Sequence, residues 1–75
     1  MEKITTILES IRPDIDFDQE TRLIDDGILK SFDVISIIGE LNGVFDINIG
    51  VEDLIPENFN SVERIELLVK RLLEG

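Results

Sequence analysis

Residues 14 to 30, between Pro13 and Ser31, carry no sustained hydrophobic period, and this stretch constrains the fold more than any other. On either side the chain follows a helical period. A connection of about 17 residues is long for a compact domain, and loops of that size are usually anchored or functional. Ile15, Phe17, Leu23, Ile24, Ile28 and Leu29 are spaced along it and can pin it to a core, while Gly27 supplies a turn with relaxed backbone limits.

Ahead of the loop, Ile4, Ile7, Leu8 and Ile11 fall at i, i+3, i+4 and i+7, with Glu2, Lys3, Thr6, Glu9 and Ser10 elsewhere, so a first helix is expected over residues 2 to 12. Pro13 stops it, because proline has no N–H to donate and pushes the preceding residue out of the helical region. Beyond the loop a second helix is expected from Ser31 to about Val44, with Ile35, Ile38, Leu41 and Phe45 available to the core and Phe32 and Ile28 packing near its entrance. Val34 and Ile37 widen its apolar stripe beyond one buried face. Either the helix is wrapped on all sides, or apolar surface stays exposed beside Ser31 as a docking surface for a partner. Gly39 and Gly43 each weaken it by roughly 1 kcal/mol relative to alanine, and Gly43 is the expected C-terminal stop. Their G-x-x-x-G spacing does not signal membrane dimerisation, since Glu40 and Asn42 lie between them in a segment too short to span.

Phe45-Asp46-Ile47-Asn48-Ile49-Gly50 alternates like a strand but has no second strand to pair with, and is read as an extended connector. Val51-Glu52-Asp53-Leu54-Ile55 can form one short helical turn before Pro56. Asn60-Ser61-Val62-Glu63 has the form of a capping box, with Asn60 as the cap and Glu63 reaching back. It opens a last helix with Val62, Ile65, Leu68, Val69 and Leu72 on its inner face and Glu66 and Lys70 as an outer i,i+4 pair. The fold expected is all-α: one domain over residues 1–75, a small helical bundle with three main helices, one short helix, and a long loop between helices one and two.

A chain of 75 residues with 43% apolar content buries only a small core, close to the limit for folding without disulfides or metals. The absence of cysteine removes disulfides, thiolate metal sites and any protein thiol for covalent chemistry. Met1-Glu2-Lys3-Ile4 does not begin a signal-peptide apolar segment, and no apolar run approaches the roughly 20 residues needed to cross a bilayer. A soluble, cytoplasmic protein is expected. A net charge of −10 argues against nucleic acid and anionic membrane surfaces and favours partners with basic patches, although solubility alone is the plainer use of such acidity.

With no histidine, cysteine or tyrosine, Ser31 has no ordinary general base, so the chain is not expected to be an enzyme. Chemistry at Ser31 would come from another enzyme modifying it. Asp14, Asp16 and Asp18, with Asp25 at the twelfth position, imitate the start of a calcium-binding loop. The frame fails where geometry is strictest: the sixth position is Gln19 rather than glycine, Leu23 and Ile24 fill later positions, and Pro13 abuts the start. An ordinary acidic loop without metal is expected.

Ser31 falls at the N-cap or first position of helix two. The unpaired N–H groups and the positive dipole end there favour an anion, and a phosphate ester on this hydroxyl suits the position. Serine is also a preferred cap, so on these grounds alone a plain capping role stays open.

The loop ending Asp26-Gly27-Ile28-Leu29-Lys30-Ser31-Phe32-Asp33, preceded by Leu23 and Asp25 and followed by a helix running into Phe45-Asp46-Ile47, resembles the acyl carrier protein family, which includes D-alanyl and peptidyl carriers. The likeness spans nearly the whole chain. It implies that Ser31 carries 4'-phosphopantetheine, attached from coenzyme A by a phosphopantetheinyl transferase, and that the arm's thiol holds acyl groups passed between enzymes of fatty acid or related biosynthesis. It further implies docking of acyl-loading and acyl-processing enzymes through basic patches, met by Asp25, Asp26, Asp33 and Glu40, with Val34, Ile35 and Ile38 as the apolar part of the face. The carrier is expected to act as a monomer, and the core between helices two and four to shelter part of an attached chain. Lys30 departs from the family, which usually has aspartate before the serine; it opposes the helix dipole slightly and can pair with a phosphodiester on Ser31. The alternatives are an aminoacyl carrier, D-alanyl or peptidyl, and an unmodified carrier-like module that binds a basic partner.

Overall fold

The computed structural model describes residues 2–75, with side chains from Lys3 onward. It is all-helical, as expected. In chain order come α1 (Glu2–Ile11), α2 (Ser31–Phe45), a 3₁₀ turn (Val51–Asp53), α3 (Pro56–Phe59) and α4 (Val62–Glu74), with no strand among the described residues. The three long helices surround a core of Ile4, Leu8, Ile37, Leu41, Ile65, Leu68 and Val69, closed by Ile49 and Phe59 from the second half of the chain. No helix among the described residues is long and apolar enough to cross a membrane.

The long loop completes this core. Phe17, Leu23 and Leu29 are buried in it, and Ile15, Ile24 and Ile28 pack against it half-buried, so all six anchors read from the sequence are used. Backbone bonds fold the loop on itself: Leu29 N–H reaches the Leu23 carbonyl at 2.9 Å, and Gly27 N–H reaches Ile24 at 3.0 Å. Gly27 sits at φ +69°, a left-handed conformation that glycine adopts without steric cost.

α2 is rotated from its expected setting. Its inner face is Asp33, Ile37 and Leu41, at intervals of four, whereas Ile35, expected in the core, is 68% exposed, and Phe32 is 78% exposed. The helix is apolar nearly all round, so its period does not select a face. The face turned inward is the one that buries Ile37 and Leu41 and points the Asp33 carboxylate to Arg12. Nor does Gly43 end the helix. It runs on to Phe45, and the left-handed residue is Asp46 at φ 54°, whose N–H bonds to the Asn42 carbonyl. Asn42 also accepts Ile49 N–H through its side chain at 3.0 Å, which turns the connector back toward the core.

Two boundaries in the second half also differ. The short turn after Gly50 stops at Asp53, and a separate turn, α3, starts at Pro56, whose fixed φ and missing N–H suit a first helical position. Ser61 rather than Asn60 caps α4, its Oγ accepting Arg64 N–H at 3.2 Å. Asn60 serves the loop instead: its Oδ1 accepts the N–H groups of Ile24 (3.0 Å) and Asp25 (3.1 Å), and its carbonyl accepts Leu23 N–H at 2.9 Å.

Candidate functional site

Ser31 is the first residue of α2 and is exposed. Lys30 before it is extended (φ −93°, ψ 166°), and the ladder of the helix starts with Val34 N–H to the Lys30 carbonyl at 3.1 Å. The amides of Ser31, Phe32 and Asp33 therefore precede the ladder, at the positive end of the helix dipole.

Asp33 braces this turn from within. Its Oδ2 accepts Lys30 N–H at 3.0 Å and Arg12 Nη1 at 2.6 Å. Arg12 in turn grips Asp14 with Nε at 3.0 Å and Nη2 at 2.8 Å, and reaches the Ile28 carbonyl at 3.4 Å. The Lys30 amide, and after it the Arg12 guanidinium, hold the Asp33 carboxyl below the usual carboxylate range, against its burial and the charge of Asp14. Asp14 is likewise lowered, first by its bond from Arg12, and Arg12 is raised by Asp14 and Asp33.

Beside Ser31 lies an apolar groove of about 280 Å³ lined by Ile24, Ser31, Val34, Ile35, Ile38, Leu54, Ile55, Pro56 and Phe59. Ser31 is its one polar side chain. α2 forms one wall, the segment from Leu54 to Phe59 forms the other, and the loop contributes Ile24. Leu54 and Ile55 are 46% and 45% exposed, so the groove is open to solvent along its rim.

Ser31, Val34, Ile35 and Ile38 are thus gathered into one surface. The carboxylates are not. Asp33, expected on a docking face, is a buried structural group at 9% exposure, because Arg12 and the Lys30 amide draw it inward. Asp25 and Asp26 are exposed but engaged, Asp25 by Asn60 Nδ2 at 3.1 Å and Asp26 by Arg22 Nε at 3.1 Å. Glu40 is exposed on α2. Asp14, Asp16, Asp18 and Asp25 do not converge on a cation: Arg12 holds Asp14, and no cluster of three or more metal-ligating side chains exists among the described residues.

Sequence reasoning missed the second wall of the groove and the bracing role of Arg12. The wall had a signal in Leu54-Ile55-Pro56, an apolar pair ahead of a proline with no helical or strand period to bury it. Arg12 had none, since its partners Asp14 and Asp33 lie on two different elements. Comparison with protein families, curated proteins and solved structures gives no match for this chain.

Proposed function

We propose that the chain is a carrier protein that holds acyl groups as thioesters on a 4'-phosphopantetheine arm at Ser31 and passes them between partner enzymes. One observation carries this reading. An exposed serine hydroxyl at a helix N-terminus is the only polar side chain on an open apolar groove. A phosphodiester on Ser31 Oγ suits the helix end, where unpaired amides favour an anion, and the Lys30 ammonium adjoins it in the chain. Val34, Ile35, Leu54 and Ile55 offer apolar surface along which an arm or acyl chain can lie out of water. When attached, the arm supplies the thiol that this cysteine-free chain lacks.

The chain's own residues position and recognise rather than react. A phosphopantetheinyl transferase loads Ser31, and acyl-loading and acyl-processing enzymes then dock on the surface formed by Val34, Ile35 and Ile38. The overall charge of −10 draws partners with basic patches and speeds encounter more than it tightens the complex.

The test is the intact mass after incubation with coenzyme A and a broad-specificity phosphopantetheinyl transferase, with Ser31→Ala alongside. Gain of one phosphopantetheine by the parent and none by the variant supports the carrier reading. No gain by a folded parent, while a known carrier is modified in parallel, calls for Lys30→Asp. Failure there too replaces the carrier with an unmodified interaction module.

A further inference from the structure

Arg12 joins three elements at the foot of Ser31. Its N–H extends α1 by one bond to the Leu8 carbonyl at 2.9 Å, its Nη1 reaches the Ile28 carbonyl at the end of the loop at 3.4 Å, and the same nitrogen holds Asp33 in the first turn of α2 at 2.6 Å. The Asp33 oxygen that it holds is also the one that accepts Lys30 N–H at 3.0 Å. Only 9% of Asp33 is exposed, and a carboxylate so placed depends on its counter-charge. Arg12 is the one cation paired with it among the described residues.

The position of Asp33 gives this pair a consequence beyond packing. It stands at a helix end, so loss of the guanidinium leaves its carboxylate a short way out: rotation toward water. That rotation releases the Lys30 amide and turns the carboxylate, no longer neutralised by Arg12, toward the amides that would receive a phosphate. Deepening the carrier reading, on which it rests, we infer that Arg12 is a positioning residue for Ser31: it holds the Asp33 carboxylate inward, which keeps the first turn of α2 braced and the helix end clear for an incoming phosphate group.

The experiment compares Arg12→Gln, Arg12→Lys, Asp33→Asn and the double variant Arg12→Gln/Asp33→Asn. Amide hydrogen exchange at Lys30 is read in the unmodified proteins, and steady-state phosphopantetheinyl transfer is followed by intact mass. Arg12→Gln is expected to speed Lys30 exchange and to lower kcat about tenfold, the rate effect of one lost charge-assisted contact. KM for the carrier stays near the parent value, because Val34, Ile35 and Ile38 are untouched. Simple loss of folded protein has the opposite signature, a higher apparent KM with kcat retained at saturation. Arg12→Lys keeps the counter-charge and stays close to the parent.

The double variant is decisive. The asparagine oxygen still accepts Lys30 N–H and leaves no buried charge unpaired, the exposed Asp14 losing its partner in both variants, so kcat recovers relative to Arg12→Gln. Unchanged kcat and Lys30 exchange in Arg12→Gln, or a double variant no better than the single one, overturns the inference. If neither the parent nor Lys30→Asp is modified, the carrier reading fails separately, and exchange at Lys30 alone decides whether Arg12 holds the turn.

Discussion

Asn60 and Asp25 are joined twice: Asn60 Oδ1 accepts the Asp25 N–H and Asn60 Nδ2 donates to Asp25 Oδ2, each at 3.1 Å. Through the same Oδ1, Asn60 also holds Ile24, a lining residue of the groove, and its chain neighbour Phe59 lines the groove too. With the Asn60 carbonyl, which accepts Leu23 N–H, this amide side chain ties the loop to the far wall.

Removing it should be felt in stability. Asn60→Ala leaves the half-buried Ile24 amide without its acceptor, and is expected to cost about 1–3 kcal/mol. Urea unfolding should show a lower midpoint with an unchanged m-value. Limited proteolysis should cut first within residues 20 to 27, where the loop loses its anchor.

The glycines of α2 make the opposite prediction. A Cβ at Gly39 or Gly43 meets nothing within 4 Å, and both positions are exposed. Gly39→Ala and Gly43→Ala should each stabilise the fold by roughly 1 kcal/mol, which for a domain of this size raises Tm by about 4–8 °C. Gly27→Ala has just as much room but sits at φ +69°, and should lower Tm instead.

How much of this was legible in the sequence differs by element. α1, α4 and the six loop anchors could be read because their apolar residues follow one spacing or stand alone among polar ones. α2 could be delimited but not oriented: Phe32, Val34, Ile35, Ile37 and Ile38 offer several apolar faces, and the one turned inward also pairs Asp33 with the half-buried Arg12. Such a pair links elements far apart in the chain and leaves no periodic trace. Asn60 was misplaced for a similar reason. Asn60 and Ser61 both make acceptable caps, and only the presence of the loop amides assigns one to each task. Ser31 was located correctly as the start of α2, and Val34, Ile35 and Ile38 beside it could be read as an apolar face, whereas the wall facing them was missed, since it arises from residues 54 to 59 folding back.

The lowered pKa of Asp33 gives a stability prediction with a defined sign. Its folded pKa lies below the unfolded value, so the charged form stabilises the fold at pH values above the ordinary aspartate range, about 4. The stabilisation is lost as pH falls through the folded pKa. The difference in unfolding free energy between the parent and Asp33→Asn should therefore be constant from pH 7 to about 5 and shrink steadily below about 4. Taking the difference removes the contribution of the other carboxylates, which protonate in both proteins. A difference that grows on acidification would mean that Asp33 is held neutral rather than charged.

The surface beside Ser31 separates folding from recognition. Ile35 is 68% exposed on a groove wall, so the chain gains little from it internally, and Ile35→Ser should change stability by less than about 0.5 kcal/mol. On the carrier reading, the same change should raise the transferase's KM for the carrier about tenfold, since burying such a side chain in an interface is worth about 1.5–3 kcal/mol. Added salt should slow the encounter of parent and variant alike, because the long-range attraction comes from the charge of the whole chain. Asp25, Asp26 and Asp33 already have partners within the protein, so on the carrier reading their direct contacts are expected to contribute less to this face than its apolar residues do. The ratio of KM values between Ile35→Ser and the parent should accordingly stay constant as salt rises. A ratio that collapses toward one in high salt would move the recognition from the groove wall to the acidic surface around it.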